Sequence, residues 1–474
     1  MEYDIVVGLE IHLELKTKSK MFSGAPYAFK DQANNDTNEV DLAHPGTLPC
    51  VNKEAVKKAI EACTAFNLTI DPLIRFDRKN YYYSDLPKGY QITQQFHPIG
   101  RNGYIEIFVD GNYKKIRINR IHMEEDTAKQ FHLFDETLID YNRAGVPLIE
   151  LVSEPDMSSG QEASLYLEKL RQTLDYLDVS DVKMEEGSMR CDVNVSIKPK
   201  GSDIYGTKVE IKNLNSINNV RLAIDYEVNR QKECLSNGEE IIQETRRFDE
   251  KSQTTVSMRK KEGSVDYKYF PEPNIFPIRL SKEFIEDIQK AMPELPDVKF
   301  KRYIDEYKLS EYDTNLIIAN KGLCHYFEKI MAHTTNAKTV ANLLTGELAN
   351  ILSKHSLSFE ECPIVPEYFA KLVEMLEGKE VSFMQAKEIL NIMMDGKDPK
   401  IIADEKGFKQ LSNEDEILNL VISVLDDNPQ SIADFKNGKD RAMGFLVGQV
   451  MKRSKGQANP KLASELVNKE LAKR

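Results

Sequence analysis

Tyr3-Asp4-Ile5-Val6-Val7-Gly8-Leu9-Glu10-Ile11-His12-Leu13-Glu14-Leu15 alternates along its whole length. Ile5, Val7, Leu9, Ile11, Leu13 and Leu15 fall on one side of a strand, and Glu10, His12 and Glu14 on the other. Successive strand side chains point to opposite faces, so this is a strand with one apolar and one charged face. The pattern recurs. Arg190, Asp192, Asn194 and Ser196 oppose Val193, Val195 and Ile197, and Lys208 to Asn213 repeats the scheme. Tyr104 to Asn119 alternates as a hairpin that turns at Asp110-Gly111. Several such strands predict an antiparallel sheet with one face lining a polar cleft.

Ile121-His122-Met123-Glu124-Glu125-Asp126 lies at the end of one of these strands and packs three carboxylates and an imidazole into six residues. Ionised carboxylates this close repel once buried, so the cluster needs a cation or bound protons. Glu150 stands inside the apolar run Leu148-Ile149-Glu150-Leu151-Val152, where a carboxylate is costly unless it is paired or coordinating. The competing readings are a solvated acidic loop and an exposed strand face. Carboxylates with histidine and no cysteine partner favour Mg²⁺ or Mn²⁺ over structural zinc. A hard cation beside arginines and lysines suits phosphoryl transfer. The chain has no Gly-x-x-x-x-Gly-Lys-Ser/Thr loop and no Gly-x-Gly-x-x-Gly, so the common loops for a nucleotide are missing.

A chain of 474 residues exceeds one core, and around Met292-Pro293-Glu294-Leu295-Pro296 the character changes, the spacing from there being helical to the end. The expected class is α+β: a β-rich antiparallel cradle over 1–292, a helical domain over 293–398 and a small helical tail over 399–474. Ser412 with Asp415 reads as a capping box. Gly444 and Gly448 read as a site of close helix approach. Six scattered cysteines without a Cys-x-x-Cys pair, and an acidic amino terminus, point to a reducing cytoplasm. No apolar run approaches the ~18 residues of a membrane span. The net charge is −12, yet Lys439 to Arg474 holds nine basic against three acidic residues. A basic end on an acidic body suits an anionic partner such as RNA, with a solvated helical face as the plain alternative.

VGLEIHLEL at 7–15, HMEED at 122–126, KMEEGSMRCDVNVS at 183–196, KNLNS at 212–216, QETRRFD at 243–249, DYKYFPEP at 266–273 and GFLVGQVMKRSKGQANP at 444–460 together resemble the B subunit of bacterial aspartyl/glutamyl-tRNA(Asn/Gln) amidotransferase. The resemblance runs end to end. It implies ATP-dependent phosphorylation of the side-chain carboxylate of misacylated Glu-tRNA(Gln) or Asp-tRNA(Asn). Ammonia from glutamine, released by a partner amidase A subunit, then displaces the phosphate. It further implies a small C subunit completing a heterotrimer, and ATP with Mg²⁺ (or Mn²⁺). By resemblance the catalytic residues are Glu10, His12, Glu125 and Glu150, and the metal ligands are these four with Glu124 and Asp192. Phosphate contacts fall to Lys79, Arg190, Lys208 and Lys212, and tRNA contacts to Arg441, Lys452, Arg453 and Lys455. Many members of the family bind zinc through two cysteine pairs in the first loop. Here Met21-Phe22-Ser23-Gly24 and Ala43-His44-Pro45-Gly46 lack them, so no zinc is expected and the loop should be held by packing alone. The alternative is a non-catalytic tRNA-binding scaffold subunit.

Overall fold

A computed structural model describes residues 2–27, 32–260, 266–408, 414–436, 441–454, 458 and 460–473. The chain divides into two compact units, 1–296 and 297–474.

The strands of the first unit are β1 (Tyr3–Glu14), β2 (Thr69–Ile70), β3 (Leu73–Ile74), β4 (Asp77–Asn80), β5 (Tyr90–Thr93), β6 (Gly100–Val109), β7 (Asn112–Glu125) and β8 (Lys129–His132). They continue with β9 (Thr137–Asp140), β10 (Pro147–Ser153), β11 (Met189–Pro199), β12 (Val209–Lys212), β13 (Glu244–Asp249), β14 (Thr254–Lys260), β15 (Phe270–Pro271) and β16 (Ile278–Arg279). Its helices are α1 (Lys53–Ala65), α2 (Gly160–Tyr176), α3 (Ile217–Ser236) and α4 (Lys282–Ala291). Among the described residues nine strands form one sheet in the order β14-β13-β12-β11-β1-β10-β7-β6-β2, and β15-β4-β5 form a smaller one.

The expected alternation builds this sheet. Val7, Leu9, Ile11 and Leu13 of β1 are buried with Val193, Val195 and Ile211, and α1, α2 and α3 pack onto that side. β6 and β7 turn through Asp110 (φ 50°) and Gly111 (φ 80°). Positive φ at both central residues belongs to the tight turn whose twist matches a hairpin. The expectation of an antiparallel sheet needs one correction, because β12 and β13 run parallel. Helix α3 joins them, and a helical crossover returns the chain in the same direction.

The first loop is not held by packing alone. Lys20 is fully buried, and its Nζ donates to Asp41 at 3.2 Å and to the Tyr141 carbonyl at 3.3 Å. Asn52 caps α1 by accepting from Glu54 and Ala55, while its own amide donates to the carbonyls of Ser19 and Lys20. Polar groups tie this loop down at Lys20 and Asp41, because a buried charge without its partner is costly.

The second unit is helical as expected: α5 (Pro296–Asp305), α6 (Glu311–Ile318), α7 (Lys321–Met331), α8 (Ala337–Asn342), a π-helical turn at Leu343–Leu348 and α9 (Ala349–Lys354). Then follow α10 (Pro366–Glu377), α11 (Phe383–Ile392), α12 (Pro399–Lys406), α13 (Glu414–Asp427), α14 (Pro429–Lys436), α15 (Arg441–Arg453) and α16 (Pro460–Leu471). Helix α12 packs on α10 and α11, and α13 to α16 close on Ile417, Val421, Leu446, Val450 and Val467. Gly444 and Gly448 do not serve helix packing among the described residues. Both are exposed, and a side chain placed on either meets nothing within 4 Å. Ser412 lies outside the described residues. Among the described residues no helix is long and apolar enough to cross a membrane.

Candidate active site

Register brings the polar residues together. Glu150 on β10 lies opposite His12 on β1 and opposite His122 on β7, and His12 lies opposite Arg190 on β11. One row of side chains thus runs His122, Glu150, His12, Arg190 across four strands. The next row on the same face places Glu10 opposite Asp192. Residues more than a hundred positions apart meet because antiparallel pairing fixes which side chains share a row.

Oε2 of Glu150 sits between two imidazoles, 3.3 Å from Nε2 of His12 and 3.4 Å from Nε2 of His122. Glu124 approaches the same pair, at 3.6 Å from His12 and 3.7 Å from His122. Glu10, His12 and Glu150 form one set of converging donor atoms, and His122, Glu124 and Glu150 form a second that shares Glu150. His122, Glu124 and Glu150 are buried, with Glu10 and His12 partly so.

Burial works against charge on either imidazole, but the neighbouring carboxylates prevail. His122 is raised to about 9 by Glu150 and Glu124, and His12 is raised as well. Burial alone would raise Glu150, yet the two imidazoles hold it well below the usual carboxylate range. Burial raises Glu10, and the charge on Glu150 adds to this. These directions describe a cluster that recruits positive charge, from protons or from a cation. The donors are carboxylate oxygens and imidazole nitrogens, and the buried Nδ1 of His122 has no hydrogen-bond partner among the described residues. That set fits a hard or borderline divalent cation.

The other expected residues divide. Glu125 stands apart from the cluster, with Oε2 accepting from Lys88 at 2.6 Å and Oε1 accepting from the Ile92 amide at 3.0 Å. Asp192 is paired with Lys212. The Arg190 guanidinium donates to Asp126 at 2.5 Å, and Arg143 meets the other oxygen of that carboxylate at 3.2 Å. Lys79 holds its ammonium over Tyr267 at 5.0 Å; burial opposes its charge, but Glu124 and Glu150 keep its pKa raised. Lys208 is exposed and has no ion pair among the described residues. Arg441 and Lys452 are exposed on α15, whereas Arg453 is engaged by Asp427 at 2.6 Å. Lys455 lies outside the described residues.

The member of the cluster absent from the expected ligands is His122, while the expected Glu125 lies outside it. Period two would have found it, because His122 and Glu124 share a strand face that Glu125 leaves. Beside the cluster a cleft of about 630 Å³ is lined by His12, Glu14, Lys129, Arg143, Arg190, Asp192 and Lys212, among others. Its size suits a small-molecule substrate. Lys129 and Arg143 come from segments whose sequence carried no signal for it.

Comparison with known proteins matches residues 5–286 to the GatB/GatE catalytic domain and residues 325–471 to the GatB domain. The B subunit of the aspartyl/glutamyl-tRNA(Asn/Gln) amidotransferase of Geobacillus kaustophilus is 49% identical over 476 residues, covering 100% of both chains. The B subunits from Staphylococcus carnosus and Staphylococcus aureus are 49% and 48% identical over 475 residues, again covering 100% of each chain.

Proposed function

Because this chain belongs to the GatB/GatE family, we propose that it is the B subunit of a tRNA-dependent amidotransferase that converts misacylated Glu-tRNA(Gln) or Asp-tRNA(Asn) to the amide. In this reading ATP phosphorylates the side-chain carboxylate carried by the tRNA. Ammonia made from glutamine by a partner amidase subunit then displaces the phosphate. The observation that carries the reading is the placement of Glu150 between His12 and His122, with Glu124 and Glu10 converging on the same point.

These five residues would hold Mg²⁺ or Mn²⁺, which when bound supplies charge neutralisation and a template for two anionic reactants. His122 thus joins the expected ligands, Glu125 leaves them for the task of fixing Lys88, and Asp192 leaves them for Lys212. Arg190 and Lys212, at the cleft end of the two rows, orient the phosphates by charge-assisted hydrogen bonds. Asp192 and Asp126 hold those two cations in place before substrate arrives. Lys79 screens the substrate carboxylate from the cluster. Lys208 lies too exposed for more than a peripheral contact.

Helices α13 to α16 form the tail in this reading, with Arg441, Lys452 and Lys455 offered to the tRNA backbone and Arg453 braced on Asp427. The complex is a cytoplasmic heterotrimer with an amidase A subunit and a small C subunit. The test is ATP cleavage by the reconstituted complex carrying Glu150→Gln, with misacylated tRNA present and tRNA binding measured alongside. Cleavage lost with binding kept is the expected result. Unchanged cleavage overturns the catalytic reading and leaves a tRNA-holding scaffold.

A further inference from the structure

A ribbon of aromatic rings borders the carboxylate cluster and has no part in the chemistry assigned above. Tyr83, Tyr81, Tyr267, Tyr269 and Phe96 follow one another at centroid distances of 6.0, 5.9, 5.9 and 6.2 Å. Their planes are inclined by 63–73° throughout, so each ring meets the next edge to face. Edge-to-face contact is a favourable aromatic geometry that ties the inner rings to one another, so a further planar group is received at the ends of the ribbon. Both ends are open, with Tyr83 64% and Phe96 51% exposed.

The ribbon is built on a stiff frame. Asn80 binds the segment bearing the two later tyrosines, its amide donating to the Tyr267 carbonyl at 2.9 Å and its side chain to the Lys268 carbonyl at 2.7 Å. Arg78 closes the same sheet with two hydrogen bonds to the buried Glu272, at 2.6 and 3.0 Å. Lys268 adopts φ 48° between the tyrosines, a left-handed conformation that non-glycine residues hold only when their surroundings enforce it.

We infer that this ribbon is a nucleobase-stacking platform that receives the unpaired 3′ end of the aminoacyl-tRNA. The inference rests on the function proposed above. An amino acid esterified to a terminal ribose reaches the cluster only if the last bases are lodged beside it. Unpaired bases are held by stacking on aromatic side chains next to cations. Lys79 supplies the cation, lying 5.0 Å from the Tyr267 ring and 5.9 Å from Tyr81 and facing Glu124 and Glu150. The adenine of ATP is the other candidate occupant, and topology disfavours it. The phosphate-orienting cations sit on β11 and β12, whereas β5 and the ribbon pack beside β7, at the opposite end of the row. Two substrates entering from opposite ends meet over Glu150.

The experiment is steady-state amidation by the full complex carrying Tyr83→Ala or Phe96→Ala, two exposed positions outside the core. We expect KM for aminoacyl-tRNA to rise roughly 5- to 100-fold with KM for ATP unchanged. Tyr83→Phe and Phe96→Tyr should restore it. A tRNA trimmed of its unpaired 3′ nucleotides should bind wild type and the alanine variants alike. A rise in KM for ATP alone, or no change in either constant, overturns the inference. The tRNA affinities of wild type and Tyr83→Ala are compared in the same binding assay as Glu150→Gln. A failure of the cluster reading, seen as ATP cleavage by Glu150→Gln, is therefore separate from a failure of the platform.

Discussion

The cradle sheet and the helical unit treat charge in opposite ways. In the cradle, His122, Glu124, Glu125, Asp126 and Glu150 are all buried, and each is met by a partner charge. In α13 to α16 the core is made of Ile417, Val421, Leu446, Val450 and similar residues, while Arg441 and Lys452 stay in water. Burying ions gains little stability after desolvation is counted, whereas apolar burial gains about 25 cal/mol per Å². The helical end is thus assembled for stability, with its charge left in water. The cradle accepts costly charges, as a site for chemistry does.

Four changes probe that contrast, in order of expected effect. Glu150→Gln should lower ATP cleavage about a thousandfold, since it removes the carboxylate both donor sets share. A single-turnover assay measures it, and a loss under tenfold would make the cluster an ordinary buried network. Lys20→Met should cost the first unit about 3 kcal/mol in a denaturant titration, by leaving Asp41 buried without its ammonium. A neutral outcome would mean that packing, after all, holds the first loop.

Glu328→Gln tests the helical unit where it does contain a partly buried pair. Glu328 accepts from Lys299 at 2.6 Å and also meets Arg302. Burial would raise its pKa, but these cations bring it below the usual value. A carboxyl depressed on folding stabilises fully above its unfolded pKa of about 4.3 and loses that contribution as pH falls through the lower folded value. The substitution should therefore cost about 1–2 kcal/mol at pH 7 and flatten the decline of stability below about pH 4.3. An equal loss at pH 7 and at pH 2 would assign the effect to packing. Gly444→Ala should have the smallest effect, a gain of about 0.5–1 kcal/mol in thermal unfolding, because it adds helix propensity where nothing is touched. Destabilisation would reveal a contact on that face.

Much of this molecule was legible in its residues. The alternation of 3–15, 104–119 and 190–197 specified strands and their polar faces, because period two is a property of the backbone itself. Asp110-Gly111 specified the hairpin, and Glu150 inside an apolar run announced a carboxylate with a purpose. Motif order alone identified the family. Period two alone puts His122 and Glu124 on one strand face and Glu125 on the other, but only tertiary structure, through the pairing of β10 with β7 and β1, sets Glu150 between His122 and His12. The same holds for the parallel β12 and β13, for Lys20 beneath the first loop and for the ring-to-ring order of Tyr81, Tyr267 and Phe96. A sequence carries each residue's chemistry and local period. Which distant residues share a row, or a buried space, is set by the register and packing of the whole fold.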